Sequence, residues 1–118
     1  MNETRIQRRI MVALSRIGVR IFRNNVGTAK QGERTIKFGL CKGSSDLIGW
    51  TKVNGVAVFT AVEVKRPMKK PTEPQRNFIH RVREDGGIAG VATSEDEAVE
   101  LIESEVERVK QRYETPKK

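Results

Sequence analysis

Apolar residues recur along this chain at two periods, near four and near two, and the switches between them outline its elements. Ile6, Ile10, Ala13, Leu14 and Ile17 fall at helical spacing behind a Thr4-x-x-Gln7 capping box, and Gly18 supplies a stop. Val19 to Arg23 alternates as a strand, with Val19, Ile21 and Arg23 on one face. Asn24 to Arg34, with two glycines and mixed polar side chains, reads as a loop, and Ile36-Lys37-Phe38 as a short strand. Two runs rich in β-branched and aromatic residues follow, one ending at Val53 and the other starting at Val56. Pro67 and Pro71 forbid a central strand beyond Lys65. Thr72-x-x-Gln75 is a second capping box, and Phe78, Ile79 and Val82 form the apolar stripe of its helix up to Gly86-Gly87. Ile88 to Thr93 is short and apolar, as a buried strand is. Ser94-x-x-Glu97 opens a last helix with Ala98, Leu101, Ile102, Val106 and Val109 inward and Glu100, Glu103 and Glu107 outward. Residues 114–118 read as a loose tail. The order α-β-β-β-β-α-β-α predicts one α/β domain over 1–118, a central mixed sheet with helices on both faces.

The two long strands carry the candidate chemistry. Asn54-Gly55 between them is the signature of a two-residue type I′ hairpin. With that turn Val53 faces Val56, and counting down the ladder places Asp46 opposite Glu63, with Cβ atoms roughly 5 Å apart. Lys65 shares their face, because strand side chains alternate. Two opposed carboxylates repel, and a divalent cation between them removes the repulsion. One or two carboxylates, with water and substrate phosphate completing the shell, describe a Mg²⁺ site in phosphoryl-transfer chemistry. The alternative at this point is a solvated bridge from Glu63 to Lys65 or Arg66, worth little. Against it stands the apolar setting. Val56, Val58, Val62 and Val64 on one face, with Ala57, Phe59 and Ala61 on the other, predict a sheet covered on both sides.

Gly43-x-x-Asp46-Leu47-Ile48-Gly49, then Val62-Glu63-Val64-Lys65, then Gln75 followed by Phe78, resembles the PD-(D/E)xK nuclease superfamily. More narrowly it resembles the virus-type replication-repair nuclease (VRR-NUC) domain, in particular its small stand-alone phage and bacterial members, from Glu3 to about Ala98. The resemblance implies a restriction-endonuclease-like core and a metal-dependent endonuclease acting on branched DNA, such as four-way junctions. It implies Mg²⁺ or Mn²⁺ held by Asp46, Glu63 and the Val64 backbone carbonyl, with Lys65 at the scissile phosphate. A glutamate on the first helix reaches the metal in that family, and Glu3 is the matching position; the other reading of Glu3 is a carboxylate favoured by the helix dipole. Gln75 orients Lys65 or the attacking water on the family reading, and merely caps its helix on the other. His80 reads as a surface residue.

Charge sharpens this picture. The chain of 118 residues carries a formal +8, and the balance is uneven: residues 1–83 hold 18 Lys/Arg against 5 Asp/Glu, while 84–118 hold 5 against 10. A basic body with an acidic end suggests one surface facing a polyanion. Arg5, Arg9, Lys30, Arg34, Lys42, Arg66, Lys69 and Lys70 are the expected DNA contacts, and Gly43 is expected to let a phosphate come close. Cys41 is the only cysteine, which excludes an internal disulfide and fits a reducing compartment. No apolar run approaches a membrane span and no signal-peptide pattern opens the chain, so a cytoplasmic location is expected, in a bacterial cell or a phage-infected host. One domain makes one cut, so symmetric nicking of a junction calls for a homodimer. A flap or duplex nuclease, or a non-catalytic nucleic-acid-binding module on the same fold, remain the alternatives.

Overall fold

A computed structural model of the chain describes residues 2–114. Its elements are α1 (Glu3–Arg16), β1 (Arg20–Arg23), β2 (Gly27–Gln31), β3 (Arg34–Phe38), β4 (Leu47–Val53), β5 (Val56–Val64), α2 (Glu73–Glu84), β6 (Ile88–Ala92) and α3 (Glu95–Glu114). The central sheet has the order β1-β4-β5-β6; β1, β4 and β5 run antiparallel, and β6 lies parallel to β5 after the α2 crossover. This is the expected mixed sheet flanked by helices. Glu114, expected in the tail, closes α3, and 115–118 lie outside the described residues. No helix among the described residues is long and apolar enough to cross a membrane.

Alternation divides the sheet into two unlike faces. Ile21, Leu47, Val53, Val58, Val62, Val64, Ile88 and Ala92 pack with Ile6, Ile10 and Leu14 of α1 and Ala98, Ile102 and Val109 of α3 into one buried core. On the opposite face α2 lies mainly over β5 and β6, and none of its side chains is fully buried. The expectation of a sheet covered on both sides therefore holds from Thr60 to Val64, where every residue is buried, and fails toward the turn, where Ala57 and Phe59 are exposed. Gly49 lets β1 approach β4: a Cβ there would stand 1.7 Å from the Arg20 carbonyl oxygen.

Three local expectations are corrected. The cap of α1 is Asn2, whose Oδ1 accepts from the Arg5 N–H at 2.9 Å; the helix has already begun at Thr4, so no Thr4–Gln7 box forms, and Ile17 ends exposed. Residues 24–34 are not a plain loop. They hold β2, which pairs with β3 through a Gly32-Glu33 reversal, so β3 joins a separate two-stranded arm and not the central sheet. The Ser94 cap forms, but the Glu97 carboxylate turns to the N–H and hydroxyl of Thr93 instead of closing the box. The second box, Thr72 with Gln75, is complete.

A charged cluster pins α3 to the sheet. Glu105, only 4 % exposed, accepts from Arg83 Nε at 3.1 Å, Arg108 Nε at 2.8 Å and the Ala89 N–H at 3.1 Å. Burial raises its carboxyl, but these donors outweigh that and hold it below the usual range. Glu105→Ala strands two arginines and a buried strand N–H. It is expected to cost about 2–4 kcal/mol in urea unfolding, and a loss of under about 0.5 kcal/mol, the range of an ordinary surface substitution, would contradict this role.

Candidate active site

Asn54 and Gly55 both adopt positive φ, 49° and 81°, as a type I′ turn requires, and the ladder follows from it: Val53 pairs with Val56 and Leu47 with Val62. One step further, Asp46 stands against Glu63. Asp46 Oδ2 accepts from the Val64 N–H at 2.9 Å, which fixes the first carboxylate on the backbone of the second strand. In an extended strand a residue's N–H and C=O point the same way, so the Val64 carbonyl also faces Asp46.

Asn24 holds the approach to Asp46. Buried at the end of β1, it donates through Nδ2 to Ser44 Oγ at 2.8 Å and to the Ser45 carbonyl at 2.9 Å, while Oδ1 accepts from the Leu40 N–H. Its own N–H donates to the Asp46 carbonyl at 2.8 Å. One amide thus ties both roots of the β2–β3 arm to the segment before β4. Nothing in its sequence setting marks it out. Gly43, with φ 88°, makes its close approach to Pro74 at the start of α2, where a Cβ would lie 2.7 Å from the Pro74 carbonyl oxygen.

Glu63 is the unusual group. It is 2 % exposed, and its Oε1 has no hydrogen-bond partner among the described residues; Oε2 accepts a long bond, 3.4 Å, from Gln75 Nε2. Burial pushes its carboxyl up to about 9, with the adjacent Asp46 carboxylate adding to the rise; Lys65 opposes it and Glu3 adds a little. An orphaned buried carboxylate oxygen facing a second carboxylate is a site that needs either a proton or a cation. Two hard oxygen donors and a backbone carbonyl suit Mg²⁺ or Mn²⁺. Among the described residues no three of His, Cys, Asp and Glu converge as a cation cluster, so the fit rests on the Asp46–Glu63 pair.

The other sequence-predicted residues distribute around this pair. Lys65 is half-buried on the face of Glu63, with its N–H bonded to the Ala92 carbonyl. Gln75 does two things: its Oε1 accepts from the Thr72 N–H at 2.8 Å, and its amide reaches Glu63, not Lys65. Glu3 lies 3.9 Å from Arg66 at the mouth of the site. Lys42, Lys69 and Lys70 are exposed on the loops that bound it, and Lys30 and Arg34 on the arm. Arg5 is exposed on α1, and Arg9 lies 3.7 Å from Glu95 at the start of α3. His80 is on the surface and pairs with Glu84 at 3.0 Å.

The metal-free protein should carry the signature of Glu63 in its stability. Between the ordinary carboxyl value of 4.5 and about 9, the folded state holds a proton that the unfolded chain has released. Its contribution is complete at acid pH and is lost as pH rises toward the upper value. In EDTA, Glu63→Gln is expected to flatten that slope and to unfold at higher urea than wild type at alkaline pH. Parallel stability–pH curves for the two proteins would contradict the burial argument.

The family model described as the VRR-NUC domain matches residues 1–96 of the chain. No match is found among curated proteins.

Proposed function

Because the chain belongs to the VRR-NUC domain family, a nuclease family whose partner is DNA, we propose that it hydrolyses phosphodiester bonds in DNA with the help of Mg²⁺ or Mn²⁺. The observation that carries this reading is buried Glu63, with its orphaned oxygen, beside half-buried Asp46. Asp46, Glu63 and the Val64 carbonyl would hold the ion; Glu3, which does not converge with the pair among the described residues, would have to move to join directly and would otherwise act through water. The ion would supply Lewis acidity to the phosphate and lower the pKa of the attacking water. The chain's own side chains do the remaining work. Lys65, on the same face and partly exposed, offsets charge that builds on the phosphate. Gln75 positions Glu63 by donating to its Oε2 from the N-terminus of α2. Lys42, Arg66, Lys69 and Lys70 hold the backbone of the strand to be cut.

Branched DNA such as a four-way junction is the preferred substrate on this reading, and paired nicks then require a homodimer. The β2–β3 arm supports both parts. Lys30 and Lys37 share one face with Thr28 and Thr35; the other carries Ala29, Ile36 and Phe38 together with Gln31 and Arg34 near the turn, and all nine residues are exposed. A two-stranded ribbon alone is marginal in water, so an arm with lysines on one side, and on the other an apolar base (Ala29, Ile36, Phe38) below Arg34 at the tip, is suited to a phosphate backbone and a second subunit.

Wild-type protein is expected to nick junction DNA in Mg²⁺ or Mn²⁺ and not in EDTA. Asp46→Ala and Lys65→Ala should each lower the rate by about 10²-fold or more, with salt-sensitive binding within a few-fold of wild type. Comparison of junction, flap, duplex and single-stranded substrates ranks the DNA structures, and light scattering should give the dimer mass. Binding without metal-dependent nicking would replace the enzyme with a binding module, and a monomer mass would remove the junction assignment.

A further inference from the structure

The sheet face that carries Asp46 and Glu63 continues past the site, uncovered. On it stand Phe22, Trp50 and Phe59, exposed to 53 %, 44 % and 42 %. Trp50 pairs with Phe59 across β4–β5 and with Arg20 across β1–β4, and the Phe22 and Trp50 rings lie 5.8 Å apart, tilted by 39°. Arg20 and Lys52, both exposed, share this face. Apart from Asp46 and Glu63 themselves, it carries no acidic residue in β1, β4 or β5. Trp50 and Phe59 each precede or follow their carboxylate by four residues along the strand, roughly 13 Å, with Ile48 and Ala61 between.

We propose that this open face, built from Arg20, Phe22, Trp50, Lys52 and Phe59, is a stacking platform for unpaired nucleotides that leads a single strand to the carboxylate pair. The inference rests on the nuclease reading and, among branched substrates, favours a flap with an unpaired strand beside the cut over a fully paired four-way junction. The chemistry matches on two counts. Aromatic faces stack on exposed bases without regard to sequence, and the cations beside them take the phosphates. A blunt duplex keeps its bases stacked inside and offers this face only phosphate. A second copy is the poorer occupant: a two-fold contact would set Arg20 and Lys52 of both chains against each other, on a protein of charge +8.

Trp50 is the only tryptophan, so its emission reports on this face alone. The full chain in EDTA is titrated with a deoxythymidine oligomer and with a blunt duplex of equal length. The single strand is expected to quench Trp50 several-fold more than the duplex. Phe22→Ala and Phe59→Ala should each weaken single-strand binding about tenfold relative to duplex binding. Phe59→Tyr should restore it and Phe59→Leu should not, whereas a merely structural role is met by leucine. Unchanged emission, equal quenching by duplex, or an emission shift with protein concentration in the absence of DNA would overturn the platform, the last by assigning the face to a second copy. Quenching by a wild-type protein that cuts nothing in Mg²⁺ would sink the nuclease reading and leave the platform standing; cutting without quenching does the reverse.

Discussion

The structure depends on one reversal of the chain. Asn54-Gly55 permits two consecutive positive φ angles, and a two-residue turn leaves no freedom in how β4 and β5 align. A slip of one residue would carry every side chain of a strand to the other face. The apolar core resists that slip, because Leu47, Val58, Val62 and Val64 are all buried on the helix-covered side. The same alignment that satisfies the core therefore forces Asp46 and Glu63 together on the other side. Their juxtaposition is not an accident of the surface: it is held in place by the packing energy of the opposite face.

The two faces of the sheet divide the labour. One is closed by α1 and α3 and supplies stability, reinforced at the far end by the Glu105 cluster with Arg83 and Arg108. The other is covered by α2 mainly over β5 and β6, and that partial cover creates the chemistry. Where α2 begins, its capping glutamine meets Glu63, so the start of the helix and the geometry of the site share one residue. Where α2 does not reach, the aromatic residues of β1, β4 and β5 stay open.

The parts governed by local rules were legible from the residues: the hairpin register, the Thr72–Gln75 box, the stop at Gly18, and the apolar strand expected over Ile88–Thr93 and found over Ile88–Ala92. What escaped was set by tertiary contact or by weak patterning. The arm was hidden because its period-2 alternation is mostly polar, Thr28 and Lys30 against Lys37 and Thr35. Gly32-Glu33, a glycine-first pair, was the available hairpin signal. Glu105 occupies a position of the α3 stripe, three after Ile102 and four before Val109; an acid in that register is the sign of a buried pair, yet its partner Arg83 comes from another helix. Asn24 shows nothing in sequence, since all of its bonds but the one to Leu40 run to the segment Ser44–Asp46. The bare half of the sheet was missed because alternation tells which residues share a face, not whether a helix lies on it.

Anomalous diffraction from crystals grown with Mn²⁺ is the most direct measurement of the central claim. A peak between the Asp46 and Glu63 carboxylates, beside the Val64 carbonyl, is the predicted result. Manganese bound elsewhere, with Glu63 still lacking a partner at Oε1, would contradict it.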